Sequence, residues 1–538
     1  MFLIIDAYVD EPASLGVPPY ISQYPRYLWG ALSSLSQEIK YITIDQYRRG
    51  EGEEWLKKAD YVAVIGGAIV PGRYMRGLPA SMKELRNISM EARGITILGG
   101  PVARFSREAE SLGYDYVGKL DIEASVFDLL EKGRFTQRKR SYEEWLEWSV
   151  KGAPLIAQHP DFPNYLIAEI ESFRGCPRYF TGGCSFCIEP MYGKPIFRPP
   201  ENIIEEIKAM YSIGLRNFRI GAQTDIFSYM ADGIGKYEAP EPNLGAIKDL
   251  FEGIWRCCPE IKVLHLDNAN PATIARHPDI SEKVAEILVK YTTSGNVIAF
   301  GMESADPVVI EENNLNSRPD EVMRSIEIIN RVGAERGENG LPRLLPGLNF
   351  LGGLKGESRR TYRLNYEFLK EVLKRGLLLR RINIRQVAPI RTEFPRILYR
   401  DFMHFKRKVR MEIDRAMMER VLPKGTILRD VYLELNKGGV TYGRQIGSYP
   451  LAVQLPYLTE TERFVDVLIT HHGERSAGGV EVPLNINRAP LRAIRELPYI
   501  GKGTAGKIAA RRPISEREFM DIVGKESYER ISRYIAFD

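Results

Sequence analysis

The chain is short of the residues from which most metal and redox sites are built. Histidine occurs six times in 538 residues and not once before His159. Imidazole chemistry of any kind is therefore excluded from the first 158 residues. Cysteine occurs five times, too seldom for a disulfide framework. No window approaches ~18 uninterrupted apolar residues, so no membrane-spanning helix is expected. The opening Met1-Phe2-Leu3-Ile4-Ile5-Asp6 has neither a basic region nor a small-residue cleavage site. It reads as a first buried strand of a cytoplasmic protein, not as a signal peptide. Charge of one sign is also scarce: 75 Lys and Arg stand against 70 Asp and Glu. The whole molecule is thus no polycation. With 44% hydrophobic and 27% charged residues, collagenous and disordered classes are excluded.

What is present is organised in segments. At ~100–200 residues per domain the length suggests about three to four domains. Residues 1–130 alternate short apolar runs (2–5, 61–65, 95–98 and 114–117) with helical patterns, and Gly66-Gly67 and Gly99-Gly100-Pro101 follow two of the runs. This is a doubly wound, Rossmann-like α/β pattern. Residues 131–165 form a polar connector carrying Trp145 and Trp148. Residues 166–395 repeat strand then helix, with strands expected at 166–171, 217–221, 263–267, 297–302, 347–351 and 381–387. About six such units make a partial (β/α)6 TIM-type barrel, with functional groups at the C-terminal strand ends. A charged helical linker (396–423) leads to a segment alternating Gly, Thr, Val and Tyr with polar residues (424–483), the pattern of a small β-barrel. Residues 484–538 are helical. No repeat array or coiled coil is visible. The net charge of +5 lies entirely in residues 401–538, with 23 Lys and Arg to 18 Asp and Glu. Within 485–512 seven basic residues meet one acidic residue, an anion-facing patch.

Three cysteines, Cys176, Cys184 and Cys187, share one glycine-rich loop after the first barrel strand. Soft thiolates from one loop suit an iron–sulfur cluster or zinc. On a four-iron cluster three ligands leave one iron open for substrate. Zinc would need a fourth ligand, for which His159 and His265 are available but not selected by spacing; three inert buried thiols are the other alternative. Cys257-Cys258, before Pro259 at a helix end, read as structural thiols.

The loop resembles that of radical S-adenosylmethionine (SAM) enzymes. Its ending, Cys184-Ser185-Phe186-Cys187, matches theirs, although seven residues separate Cys176 from Cys184 where that family has three. The resemblance implies a [4Fe-4S] cluster held by Cys176, Cys184 and Cys187. It also implies SAM chelated at the open iron, reductive formation of a 5′-deoxyadenosyl radical, and an electron donor such as ferredoxin or flavodoxin. Further motifs follow in the family's order. Ile220-Gly221-Ala222-Gln223-Thr224-Asp225 lies where the methionine end of SAM binds, and Gln223 offers both a donor and an acceptor. Phe300-Gly301-Met302-Glu303-Ser304 resembles the fourth-strand motif, whose Glu-Ser pair faces the cofactor. The stretch from Asn349 to Glu357 resembles the glycine-rich fifth-strand turn, and Ala388-Pro389-Ile390-Arg391-Thr392 the closing sixth-strand loop. Phe186, Gly221, Gln223, Glu303 and Ser304 are accordingly the expected SAM-binding residues. Asp267-Asn268-Ala269-Asn270 could hold ribose or substrate, or cap the next helix.

Residues 1–130 resemble the cobalamin-binding-like domains that precede many radical enzymes. Without a histidine there, cobalt has no lower imidazole ligand, and packing or substrate contact is the preferred role. The absence of cysteine from residues 1–175 sets the chain apart from methylthiotransferases, which carry an auxiliary cluster in that position. Residues 424–482 resemble the TRAM domain of RNA-modifying enzymes, with Arg444 among the candidate contacts. Residues 485–512 resemble a helix-hairpin-helix. Gly501 and Gly503 permit a tight turn, Thr504 follows, and the N–H groups opening the next helix can meet a phosphate beside Lys502, Lys507, Arg511 and Arg512. The function implied is radical modification of nucleic acid, RNA more than DNA. Cobalamin-dependent methylation of a small molecule or protein is one alternative, and a non-enzymatic, metal-stabilised nucleic-acid-binding protein another.

Overall fold

A computed structural model describes residues 1–10, 15–67 and 74–537. The chain divides into two compact units, Met1–Thr273 with Pro389–Thr392 and Ile274–Ala388 with Glu393–Asp538.

The first unit opens with β1 (Phe2–Asp6), whose five residues are all buried. Then come β2 (Tyr20–Ile21), β3 (Ile39–Thr43), β4 (Tyr61–Ile65), β5 (Ile95–Gly99) and β6 (Tyr116–Val117). All but β2 form a parallel sheet in the order β3-β1-β4-β5-β6. The near-continuous apolar runs suit strands covered by helices on both faces. Strand order reverses between β1 and β4, where such folds leave a ligand crevice. Here the chain leaving β1 crosses that crevice: Ala7 N–H donates to the Ile65 carbonyl and Gly67 N–H to the Tyr8 carbonyl. A Cβ on Gly67 would stand 2.6 Å from Val9 Cα, so glycine is required where the two segments touch.

In the connector, Ser141 and Glu144 form a capping box that starts the helix Tyr142–Lys151. That helix buries Trp145 and Trp148. A second parallel sheet, ordered β11-β10-β7-β2, contains β7 (Ile167–Glu171), β10 (Asn217–Gly221) and β11 (Val263–Leu266). Between β7 and β10 a short antiparallel ribbon, β8 (Phe173–Arg174) with β9 (Ile196–Phe197), brackets the cysteine loop.

In the second unit β12 (Asn296–Glu303), β13 (Leu344–Gly352) and β14 (Arg381–Gln386) are parallel neighbours in that order. The strand–helix repeats expected for a TIM-type barrel are thus all present. The helix Tyr399–Lys408 runs on through a π-helical turn, Val409–Asp414. Next, β15 (Ile427–Lys437), β16 (Val440–Gln445), β17 (Leu451–Leu455), β18 (Arg463–His472) and β19 (Ser476–Val482) close into a small barrel. Its interior residues Val431, Val453 and Leu468 belong to one hydrophobic cluster with Ile494 and Ile508 of the C-terminal helices.

The C-terminal segment is two helical hairpins, Leu491–Glu496 with Lys502–Ala510 and Glu516–Val523 with Lys525–Ile531. The parallel pair β20 (Leu484–Asn485) and β21 (Ile535–Ala536) ties its two ends together. Gly501 and Gly524 each precede the second helix of a hairpin, the first in an extended conformation and the second with a φ of 83°.

Candidate active site

The cysteine loop is shaped by its glycines. Gly182 and Gly183 both have left-handed backbones, with φ of 80° and 60°, immediately before Cys184. A Cβ on Gly183 would stand 2.4 Å from the Pro190 ring. The Tyr179 N–H donates to the Cys176 carbonyl at 2.9 Å and the Cys187 N–H to the Cys184 carbonyl at 3.1 Å. These turns bring the three sulfurs into mutual electrostatic contact. Burial pushes the Cys176 thiol up to about 12 and the Cys187 thiol well above its ordinary range. Neutral thiols of this kind become thiolates when a metal displaces the proton. The Arg178 guanidinium lies 3.3 Å from Cys184 Sγ. None of the five cysteines forms a disulfide.

Among the described residues no three His, Cys, Asp or Glu side chains are gathered as a ready-made metal site. Three thiols on one loop fit a cluster that takes one thiolate per iron.

Three arginines secure this loop, directly or through shared carboxylates. Arg391, far away in sequence, donates through Nη1 to the carbonyls of Gly182, Cys184 and Cys187 at 2.9, 3.0 and 2.9 Å. Arg174, two residues before Cys176, pairs with Asp121 at 2.8 Å and Glu171 at 3.0 Å. Arg140 joins the same cluster through Glu123 and Glu171, each at 2.6 Å. Asp121 precedes the helix Ile122–Lys132 that follows β6, so the N-terminal domain buttresses the cysteine loop. Sequence reasoning missed all three arginines in this role; Arg391 sat inside a quoted motif but carried no signal of its target.

At the end of β10, Gln223 is buried, with its amide N–H donating to the Asp267 carbonyl at 2.7 Å. Its Oε1 is buried without a hydrogen-bond partner. Thr224 Oγ1 donates to the Gly175 carbonyl at 3.1 Å, which sets this strand end against the cysteine loop. Gly221 has a packing reason to be glycine, because a Cβ there would fall 2.0 Å from Glu169 Oε1. That carboxylate belongs to a buried triad in which Arg219 pairs with Glu169 and Asp267. Asp225, expected only as part of a motif, caps the following turn and accepts from Ser228 and Thr273. Phe186 is half-buried between the second and third cysteines.

In the second unit, Glu303 ends β12 with a left-handed φ of 59°, after a register shift at Gly301. Burial pushes its carboxyl up to about 8, and Arg385 draws it back down. Ser304 Oγ accepts from the Asp306 N–H at 3.1 Å. Between about pH 4.5 and 8 the folded protein keeps the Glu303 proton that the unfolded chain has lost. Stability from this group is therefore full in acid and lost as pH rises through the folded value. A Glu303→Gln variant should show a flatter stability profile across that window, read by urea unfolding at several pH values; a wild-type profile would remove Glu303 as the cause.

The expected nucleic-acid residues divide into two sets. Gly501, Lys502, Gly503, Lys507 and Arg511 are exposed, and Thr504 is half-buried. Arg444 is half-buried on β16, its guanidinium paired with both oxygens of Glu434. Arg512 donates to the Ala489 carbonyl at 2.6 Å, and its Nε and Nη2 are buried without partners.

A family profile, the radical SAM superfamily, matches residues 170–369, which include the cysteine loop, Gln223 and Glu303. An uncharacterized protein of Methanocaldococcus jannaschii is 47% identical over 93% of this chain and 95% of its own length. One of Archaeoglobus fulgidus is 43% identical over 97% and 98%. Among solved structures, the radical SAM methyltransferase TsrM of Kitasatospora setae, with cobalamin and a [4Fe-4S] cluster bound, superposes with a TM-score of 0.48 at 13% identity, covering 72% of this chain and 74% of that one. The cobalamin-dependent radical SAM enzyme OxsB superposes at 0.47 and 12%, covering 68% and 51%. No helix among the described residues is long and apolar enough to cross a membrane. On the profile match and the full-length relatives, the chain belongs to the radical SAM superfamily, whose enzymes use a [4Fe-4S] cluster, SAM and an electron donor.

Proposed function

We propose that this radical SAM enzyme modifies nucleic acid in the cytoplasm, structured RNA such as tRNA or rRNA before DNA. In this reading Cys176, Cys184 and Cys187 hold the cluster, and Phe186, Gly221, Gln223, Glu303 and Ser304 form the SAM site. Gln223 offers its unpartnered buried Oε1 as an acceptor, and Glu303 a carboxyl that a cationic ligand would ionise. When bound, the cluster and SAM supply radical chemistry; the chain shapes and clamps the loop that carries them.

The observation behind the nucleic-acid reading is the first C-terminal hairpin. A Cβ on Gly501, Gly503 or Gly506 would meet nothing within 4 Å, and none of the three has a positive φ. Neither packing nor backbone strain within the chain asks for glycine there. Close approach of something outside the chain does. Gly501 caps the helix Lys502–Ala510 without a side chain, which leaves its first-turn N–H groups available to a phosphate.

Neutralising both exposed lysines, Lys502→Gln with Lys507→Gln, should weaken RNA binding across sequences. The slope of log K against log salt should become shallower by about two. Unchanged affinity and slope would sink this reading.

Cobalamin-dependent methylation would need room at the strand ends of the N-terminal sheet, but the cleft lined by Gly100, Pro101, Asp121, Arg174 and Tyr192 encloses only about 20 Å³. The polar strand ends around it are already paired, Asp121 with Arg174 and Glu123 with Arg140. We therefore assign the N-terminal domain to support of the cysteine loop.

A further inference from the structure

The second unit gathers cations along β14 and the segments beside it. Arg380 and Arg381 enter β14, Arg385 lies near its end, Lys406 and Arg410 come from the helix and π-helical turn, and Arg475 precedes β19. The Arg381 guanidinium stacks 4.0 Å from the centre of the Tyr449 ring. Arg380 Nη2 donates to the Tyr449 carbonyl at 3.3 Å. Arg410 Nη1 donates to the Ile382 carbonyl at 3.0 Å and pairs with Asp414. Arg475 is in electrostatic contact with Arg380, Arg381 and Arg410, and Lys406 with Arg385, Arg410 and Arg475.

Burial first, and the neighbouring Arg381 after it, push Arg380 down to about 10. Asp414 offsets part of this charge, but it is already paired with Arg410. Six positive charges held together repel one another, and a bound anion removes that cost. Guanidinium forks match phosphate oxygens in geometry as well as charge. Arg385 also acts on Glu303, so the cluster adjoins a strand end already assigned to SAM.

We propose that Arg380, Arg381, Arg385, Lys406, Arg410 and Arg475 form a phosphate-binding site along β14 that holds a phosphoryl group of the substrate. The phosphate itself follows from this cluster; that a nucleic acid carries it rests on the function proposed above.

The test titrates the full-length protein with inorganic pyrophosphate and, separately, with a short single-stranded RNA. The variants are Lys406→Gln/Arg475→Gln, the charge-keeping Arg475→Lys, and the hairpin pair Lys502→Gln/Lys507→Gln. Pyrophosphate should bind wild type and raise its melting temperature. The Lys406/Arg475 pair should lose about tenfold in affinity per cation removed, and Arg475→Lys should retain binding. RNA affinity should fall in both double variants. Removing cations that repel one another should leave the ligand-free melting temperature equal or higher, whereas a merely structural role would lower it. Pyrophosphate affinity that is the same in wild type and the Lys406/Arg475 pair overturns the phosphate site, even if the hairpin lysines still govern RNA binding. Pyrophosphate binding that depends on the cluster, with RNA indifferent to every variant, keeps the site and overturns its nucleic-acid carrier in favour of a small phosphorylated substrate.

Discussion

Reconstituted anaerobically with iron and sulfide and then reduced, the wild-type chain is expected to release 5′-deoxyadenosine from SAM. A Cys184→Ala/Cys187→Ala variant is expected to release none. The variant removes two of three thiolates and leaves the loop its means of folding. The left-handed glycines before Cys184 remain. The hydrogen bond from the Cys187 N–H to the Cys184 carbonyl is a backbone interaction, and Arg391 grips carbonyls, not sulfurs. Loss of product together with loss of iron, at an unchanged circular dichroism spectrum, would therefore report ligation and not collapse. Addition of total RNA should increase the wild-type yield if the substrate is nucleic acid. A variant that still forms product would overturn the ligand assignment, and zinc in place of iron in active wild-type protein would overturn the cluster.

The second large effect concerns stability. Arg219, Glu169 and Asp267 are each 1% exposed or less, on three adjacent strands or strand ends. Replacing Arg219 with Met would leave two carboxylates facing each other out of water. Breaking a buried ion pair from one side costs about 3–5 kcal/mol. Glu169 is already pushed up to about 7 by burial, with Arg219 holding it down. Without that arginine it rises further, so the variant can relieve the repulsion by keeping a proton. The deficit should accordingly be greatest at alkaline pH and smaller in acid. Urea unfolding of wild type and variant at two pH values measures both. Equal stability throughout would mean that the triad is dispensable.

Strands were legible where burial on both faces produced an unbroken apolar run, as at 2–5, 61–65 and 297–302. The strand Ile39–Thr43 was missed because Lys40 interrupts its run and the flanking residues are polar. The expected run 114–117 shortens to Tyr116–Val117, because Tyr114 turns its hydroxyl to the Leu85 carbonyl and Asp115 accepts from Thr96. Site residues were legible as motifs, since cysteine spacing and glycine turns are local. What motifs could not carry is partnership across the chain. Nothing near Arg174 announces Asp121, and nothing near Arg444 announces Glu434. The six-cation cluster is invisible for the same reason, since its members come from four separate elements.

The Arg391 clamp also has an order in time. Cys187 leaves the ribosome 204 residues before Arg391. At ~5–20 residues per second that interval is roughly 10–40 s. Throughout it the cysteine loop exists without its guanidinium bolt, open to whatever delivers iron. Once residue 391 arrives, three carbonyls are fastened at a stroke and the loop's backbone can no longer spread. Loading during synthesis and loading of the finished chain are therefore different events, one into an unlatched cradle and the other through a latched one.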